Sequence, residues 1–229
     1  MSSEDAIIPD FEGKHADEQR VIFVLDSAFL ETAKLKERHQ LLNTSDHMSL
    51  MRKHNRDWAK ARPDICFQML LAVLDSPLNK AGKVQVFVRT HKNVLFKVHP
   101  SVRLPRTFRR FCGLMVQLLH KKTIRATEGG IRLMQVIKNP VEAHFPPNCV
   151  KIAFSRTGEK IVLSDLSKRL TTDAENKGRS FVFVLGAMAK GKCEADFAEH
   201  WFAISQYPLS GAAVASRICA AFEDTWNIH

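Results

Sequence analysis

At 229 residues, with a net charge of +10 and an isoelectric point near 9.6, the chain is long enough to bury one full core and basic enough to carry a broad positive potential. Its 45% hydrophobic and 25% charged content is that of an ordinary globular domain. Nucleic acid and membrane surface would both suit such a charge, but no apolar run approaches the roughly 20 residues of a spanning helix and no basic helix has a bare apolar face, which sets the membrane aside.

The chain opens on MSSEDAIIPDFEGKHADEQR, an acidic stretch without the charged-then-apolar layout of a signal peptide. Residues 1–19 read as a flexible tail, residues 20–229 as a single domain, and the protein as one that stays inside the cell. Val21–Leu25, VIFVL, is an apolar run of strand length. Asp64–Leu74, DICFQMLLAVL, has apolar residues at helical spacing, can be capped by Asp64, and stops at Asp75-Ser76-Pro77. The alternation of Val84, Val86 and Val88 predicts a strand, and Val94–Val98 follows across a short turn. After Pro105, TFRRFCGLMVQLLHKK puts Phe108, Phe111, Leu114, Met115, Leu118 and Leu119 on one stripe of a helix. An extended segment ends at Lys138-Asn139-Pro140, a strand is expected near Val150–Phe154 and a short helix about Leu163–Leu170. Phe181–Leu185 is apolar throughout, as a strand covered on both faces should be. A last helix, about Leu209–Trp226, is rich in alanine and glycine that permit close helix packing. Strands alternating with helices imply an α/β fold with a largely parallel sheet.

The chemistry is expected first at GAMAKGKC, where Gly186 and Gly191 bracket the turn after the Phe181–Leu185 strand, at the end where parallel sheets collect ligands. It is one residue short of a phosphate-binding P-loop, because Cys193 stands where Ser or Thr would reach magnesium. Between Arg89 and Arg125 lies the densest basic segment, within which Arg103, Arg106 and Arg110 are three and four apart and share one side if Pro105 leads straight into the helix. Guanidinium forks so arranged suit phosphates or bases, and a solvated helix face is the alternative. In ARPDI, proline holds the backbone extended beside Arg62, and Asp64 can orient that arginine as an anion grip; a simple local salt bridge is the other reading. The ten histidines show no metal-ligand spacing, and the five cysteines, scattered without a C-x-x-C pair, read as reduced and buried. A reaction that needs no protein nucleophile fits this inventory.

Six blocks carry a likeness: ARPDI (61–65), LDSPLNKAGKVQV (74–86), RLPRTFRRFCGLMVQLLHK (103–121), VIKNP (136–140), FVLGAMAKGK (183–192) and ISQYPLS (204–210). From about Val21 to its end the chain resembles the eukaryotic and archaeal ribosomal RNA small-subunit pseudouridine N1-methyltransferases of the SPOUT superfamily. That resemblance implies an α/β knot: a mostly parallel sheet with helices on both faces and a C-terminal trefoil knot. It also implies S-adenosylmethionine as methyl donor and a homodimer, for which the small-residue helix after Leu209 is the expected interface. Other implied partners are small-subunit ribosomal RNA, assembly factors and ribosomal proteins, with a nucleolar location if the organism has a nucleus.

By motif, cofactor contacts fall on Phe154, Ser155, Gly186, Gly191, Ile204, Ser205, Gln206, Tyr207, Pro208 and Leu209, and RNA contacts on Arg62, Asp64, Arg103, Arg106 and Arg110. No residue is assigned as general base; Asp64 is read as orienting Arg62. The chain departs from the family pattern at Gln206, mostly Asn elsewhere, and at Gly211, mostly Ala. A non-catalytic RNA-binding assembly factor with a cofactor site weakened at Gln206 is the rival reading.

Overall fold

The computed structural model describes residues 19–191, 193 and 195–229, so the tail expected over 1–19 lies, but for Gln19, outside the described residues. In chain order the elements are β1 Val21–Ala28, β2 Thr32–Leu35, β3 Arg38–Leu41, α1 Thr44–Lys53, α2 Pro63–Leu74, α3 Pro77–Lys80, β4 Val84–Thr90, β5 Leu95–Val98, α4 Phe108–Lys121, β6 Thr123–Arg125, β7 Arg132–Ile137, β8 Val150–Lys160, α5 Leu163–Thr172, β9 Phe181–Gly186, β10 His200–Ala203 and α6 Gly211–Trp226.

β1 is apolar on both faces because it has a neighbour on each edge and a covered layer above and below. Val21, Phe23 and Leu25 enter one core, Ile22 and Val24 the other. It pairs in parallel with β4 and β9, within an eight-stranded sheet ordered β10-β8-β9-β1-β4-β5-β7-β6. The first five strands in that order run parallel, as expected. From β4 onward the pairings are antiparallel, because the few residues joining β4 to β5 cannot make a parallel crossover.

The expectation of helices on both faces needs refinement. α2, α4, α5 and α6 pack their buried residues into the core that holds Phe23 and Phe183. The opposite core, around Val24 and Val184, is covered by a 3₁₀ turn at Val141–His144 and by Phe145, Phe197 and Ala198. α6 is therefore an internal helix: Ala215, Ile218, Ala221 and Phe222 are buried, and it lies against α2, α5 and β9. Of its small residues, Ala215 and Ala221 serve this chain's own packing, whereas Ala220 is exposed. Phe222 meets Phe181 and Phe183 with ring centroids 5.6 Å apart in each pair, and burying one such ring contributes about 1.5–3 kcal/mol.

The helix expected from Pro105 begins three residues later, at Phe108. Val102 and Leu104 are buried in the core, which anchors the segment 102–105 outside any helix before the bend at 106 and 107. Arg103 and Arg106 therefore precede the helix that carries Arg110, so helical spacing does not align the three.

β8 gives the site its shape. Its partner β10 pairs His200 with Ile152 and Trp201 with Ala153, and then Phe202 with Glu159 and Ala203 with Lys160. Residues 154–158 thus leave the ladder as an excursion of one strand. It closes at Gly158, where a Cβ would lie 2.7 Å from the carbonyl carbon of Phe202 and the carbonyl oxygen of Trp201. Backbone against backbone cannot give way as a side chain can, so only glycine fits this crossing.

Candidate active site

The excursion of β8, the carboxyl end of β9 and the segment from β10 into α6 enclose a cavity of about 960 Å³, within the roughly 300–1,000 Å³ of small-molecule sites. Phe154, Ser155, Gly186, Gly191, Ile204, Ser205, Tyr207, Pro208 and Leu209 all line it. Of the expected cofactor residues, Gln206 alone does not, so the departure from the family pattern there falls outside the wall. At the other departure, Gly211, a Cβ would stand 2.6 Å from the sulfur of Met69, which takes up the space an alanine methyl would need.

The loop after β9 wraps around Met188. A Cβ on Gly186 would come 3.2 Å from Met188 Cε, and one on Gly191 2.7 Å from its sulfur. Gly191 also sits at φ +130°, where an L side chain is strained. Beneath the loop, Asp26 is fully buried at the carboxyl end of β1; its carbonyl accepts from Ala187 N–H at 2.7 Å and its carboxylate lies 3.8 Å from Cys193 Sγ. Arg89 Nε donates to the same carboxylate at 2.5 Å. A buried carboxylate needs such a partner, and the pair ties β1 and β4 to both sides of the loop. Sequence reading passed over Asp26, Met188 and Gly158: an acid at the end of an apolar strand was the available signal for the first, whereas nothing local marks the other two.

Arg62 lines this cavity and is held from two sides. The carbonyl of Ala61 accepts from the backbone N–H of Thr44 at 2.9 Å and from its hydroxyl at 2.9 Å, which pins the preceding residue to α1. Its guanidinium donates Nε to Asp64 Oδ1 at 2.8 Å and Nη2 to Oδ2 at 2.7 Å, a bidentate clasp. That hydrogen-bonded pairing with Asp64 raises the Arg62 pKa further above its ordinary value. Asp64 is not the expected cap: the N-cap of α2 is Arg62 itself, without a side-chain cap bond, and Asp64 sits in the first turn. There its charge still favours the helix N-terminus, by about 0.3–1 kcal/mol for exposed positions.

The remaining arginines lie elsewhere. Arg106 forms an ion pair with Asp75, the C-cap of α2, whereas Arg62 stands at the other end of that helix. At about 1.5 Å per residue the twelve-residue helix separates them by on the order of 18 Å. Arg103, Arg106 and Arg110 are all exposed and none lines the cavity.

Arg62, Arg156 and Lys190 give the wall three cations, and no Asp, Glu or His lines it among the described residues. Burial pushes the Cys66 thiol up to about 12 and Cys219 to about 12, so neither is a thiolate nucleophile at neutral pH. The wall can bind and orient a ligand, and its one thiol among the described residues, Cys193, lies 3.8 Å from the Asp26 carboxylate.

A sequence profile of the family described as EMG1/NEP1 methyltransferase matches residues 23–223. The chain belongs to that family. It is 48% identical over 215 residues to the ribosomal RNA small subunit methyltransferase NEP1 of Drosophila melanogaster, covering 93% of this chain and 85% of that one. Against the Homo sapiens NEP1 the identity is 46% over 210 residues, covering 92% and 83%. Among solved structures, Archaeoglobus fulgidus Nep1 bound to S-adenosylhomocysteine superposes with a TM-score of 0.74 at 23% identity, covering 91% of this chain and all of that one, and thus shares the fold. The α/β fold and family expected from the motif blocks both hold.

Proposed function

We propose that this protein methylates N1 of a pseudouridine in small-subunit ribosomal RNA with S-adenosylmethionine as donor, and so acts in small-subunit assembly. The observation that carries this reading is that Arg62, clasped by Asp64, lines the same cavity as the glycine loop, so a nucleotide grip and a ligand cradle meet in one place. Family membership and the small-subunit ribosomal RNA methyltransferases among its relatives support the substrate class.

The cradle fits the donor. Gly186 and Gly191 leave open the space that side chains would fill, Leu185, Ala203, Ile204 and Leu209 offer an apolar wall for a purine, and Ser155 and Ser205 offer hydroxyls. When bound, S-adenosylmethionine supplies an electrophilic sulfonium methyl. The chain's own share is positional: Arg62 holds the flipped nucleotide by its phosphate or carbonyl edge, Asp64 keeps the fork aimed, and Leu209 and Tyr207 screen the mouth. The rival reading, a non-catalytic assembly factor, rested on Gln206, which lies outside the wall.

A homodimer belongs to the same proposal. With the buried face of α6 committed internally, the support shifts to Trp201, Tyr207 and Leu209, large apolar side chains left 36–76% exposed around the cavity mouth. The trefoil knot belongs to it too: β8 reaches β9 through α5 on one face, while the segment from β9 to β10 crosses over the other face to the far edge of β8. A nucleolar place of action follows from that substrate in a cell with a nucleus.

The test is methyl transfer to a stem-loop carrying pseudouridine or uridine, read by mass spectrometry. Product at N1 of pseudouridine alone is expected; none with either RNA would sink the proposal. In the same assay, Arg103→Ala, Arg106→Ala and Arg110→Ala should each reduce the log–log salt slope of RNA binding by roughly 0.7–0.9 if they contact phosphates, and leave turnover of bound RNA near that of the parent. Unchanged slopes would make that segment a solvated face.

A further inference from the structure

A second cavity, of about 340 Å³, adjoins the first across the glycine loop and shares Met188, Ala189 and Lys190 with it. Its apolar part is made by the buried Phe29 and Met51. On the ring of Phe29 lies that of His91, with centroids 4.5 Å apart and planes 2° from parallel. His91 is kept there by its Nδ1, 3.5 Å from the Ala28 carbonyl, and its Nε2, 3.4 Å from Glu31, yet its side chain remains 30% exposed. Around these rings stand Arg56, Lys60 and Lys190, with Asp57, 3.7 Å from Lys60 Nζ, as the one carboxylate of the wall among the described residues.

Glu31 organises this side. Its carboxylate, 10% exposed, receives Arg56 at 2.5 Å and Lys92 at 2.7 Å besides His91. Burial alone would raise its pKa, but the hydrogen bonds from Arg56 and Lys92 outweigh burial and hold it below the ordinary carboxylate range, so the hub stays charged near neutral pH. Arg56 spends one edge of its fork on Glu31 and has further N–H groups for a ligand.

We infer that this cavity is a subsite for one unpaired nucleotide of the RNA, adjacent in the strand to the nucleotide that enters the donor cavity. The inference rests on the RNA reading above. A pre-positioned flat ring beside a cluster of cations is the arrangement by which single-stranded RNA is held, the base on the ring and the phosphate on the cations. A lone anion would have no use for the Phe29–His91 stack, and an apolar ligand none for Arg56, Lys60 and Lys190. The shared wall at residues 188–190 sets the occupant one step along the strand from the reacting base. Because Phe29 and Glu31 already immobilise the His91 ring, stacking on it costs little side-chain ordering.

The experiment uses the full chain and the pseudouridine stem-loop, with affinity read by fluorescence anisotropy and with an abasic residue placed in turn at each position flanking the target. His91→Ala is expected to weaken binding about 5- to 150-fold, the range of one base–ring stack. His91→Phe, which keeps a ring, should restore most of it. One abasic RNA should lose as much affinity for the parent and little more for His91→Ala, because both remove the same contact. Lys60→Ala, at an exposed position that lines this cavity and not the donor cavity, should lower the salt slope by about 0.7, which reads the subsite even if His91→Ala fails to fold. If the parent neither binds nor methylates the stem-loop, the RNA reading falls and the subsite with it. If the parent does both while His91→Ala and Lys60→Ala bind as it does, or every abasic loss adds in full to that of His91→Ala, the subsite alone is overturned.

Discussion

Gly186→Trp is expected to abolish binding of S-adenosylmethionine and S-adenosylhomocysteine, raising Kd at least about 100-fold, which corresponds to about 2.7 kcal/mol. Gly186 lines the donor cavity at the carboxyl end of β9, paired in register with the buried Asp26, so its backbone cannot swing away from the site. An indole built from that Cα enters the cavity. Gly186→Ala is the graded control: its Cβ would press on the flexible end of Met188, at 3.2 Å, and touch Cys193 Cβ at an ordinary 3.9 Å, and a loss of under about tenfold is expected. Gly191→Ala should fall between them, because φ of +130° strains any L residue by about 1–3 kcal/mol. Titration calorimetry with S-adenosylhomocysteine, beside a thermal melt of each variant, decides the matter. Parent-like affinity in a folded Gly186→Trp would show that the donor binds elsewhere.

The second large effect is expected at Arg62. Arg62→Ala should lower kcat/KM for methyl transfer about 100-fold, the scale on which a misplaced reactant reduces rate, while RNA affinity falls less than about tenfold. The separation follows from the geometry: one guanidinium inside the cavity aims a nucleotide, whereas many exposed cations share the phosphates. Arg62→Lys should not rescue, because an ammonium cannot keep the bidentate clasp with Asp64 and also reach a nucleotide in the same orientation. Asp64→Ala should reproduce part of the defect by freeing the fork, with a stability loss of about 0.3–1 kcal/mol from the first turn of α2 rather than that of a lost cap. Rates on a pseudouridine stem-loop, set beside binding isotherms for the same variants, test this. Equal losses of rate and affinity in Arg62→Ala would make it an ordinary phosphate contact.

Much of this site was legible in the residues. Pro63 after Arg62, with a carboxylate two residues beyond the arginine, is a local arrangement, so the clasp could be anticipated. Gly186 and Gly191 framed a loop after a buried strand, and parallel sheets bind ligands at that end. Other readings failed because the deciding contact was remote. Arg103, Arg106 and Arg110 have helical spacing, yet burial of Val102 and Leu104 keeps the first two outside the helix. On α6 the small residues Ala215 and Ala221 turn inward, where the helix packs against α2 of the same chain, while Ala220 stays exposed.

Composition and periodicity by themselves determined an α/β class, the apolar strands β1, β4 and β9 and the amphipathic helices α2 and α4, since side-chain direction repeats every 2.0 or 3.6 residues and shows at short range. Only the tertiary structure decided where the cavity lies and what closes it. β10 is four residues long with two of them exposed, too little to announce a strand, and it takes its place by pairing across the excursion of β8. Gly158 marks that crossing because the backbone of Trp201 and Phe202 passes where its Cβ would be. Such a meeting depends on the course of the whole chain between the two strands, and no local pattern of residue types records it.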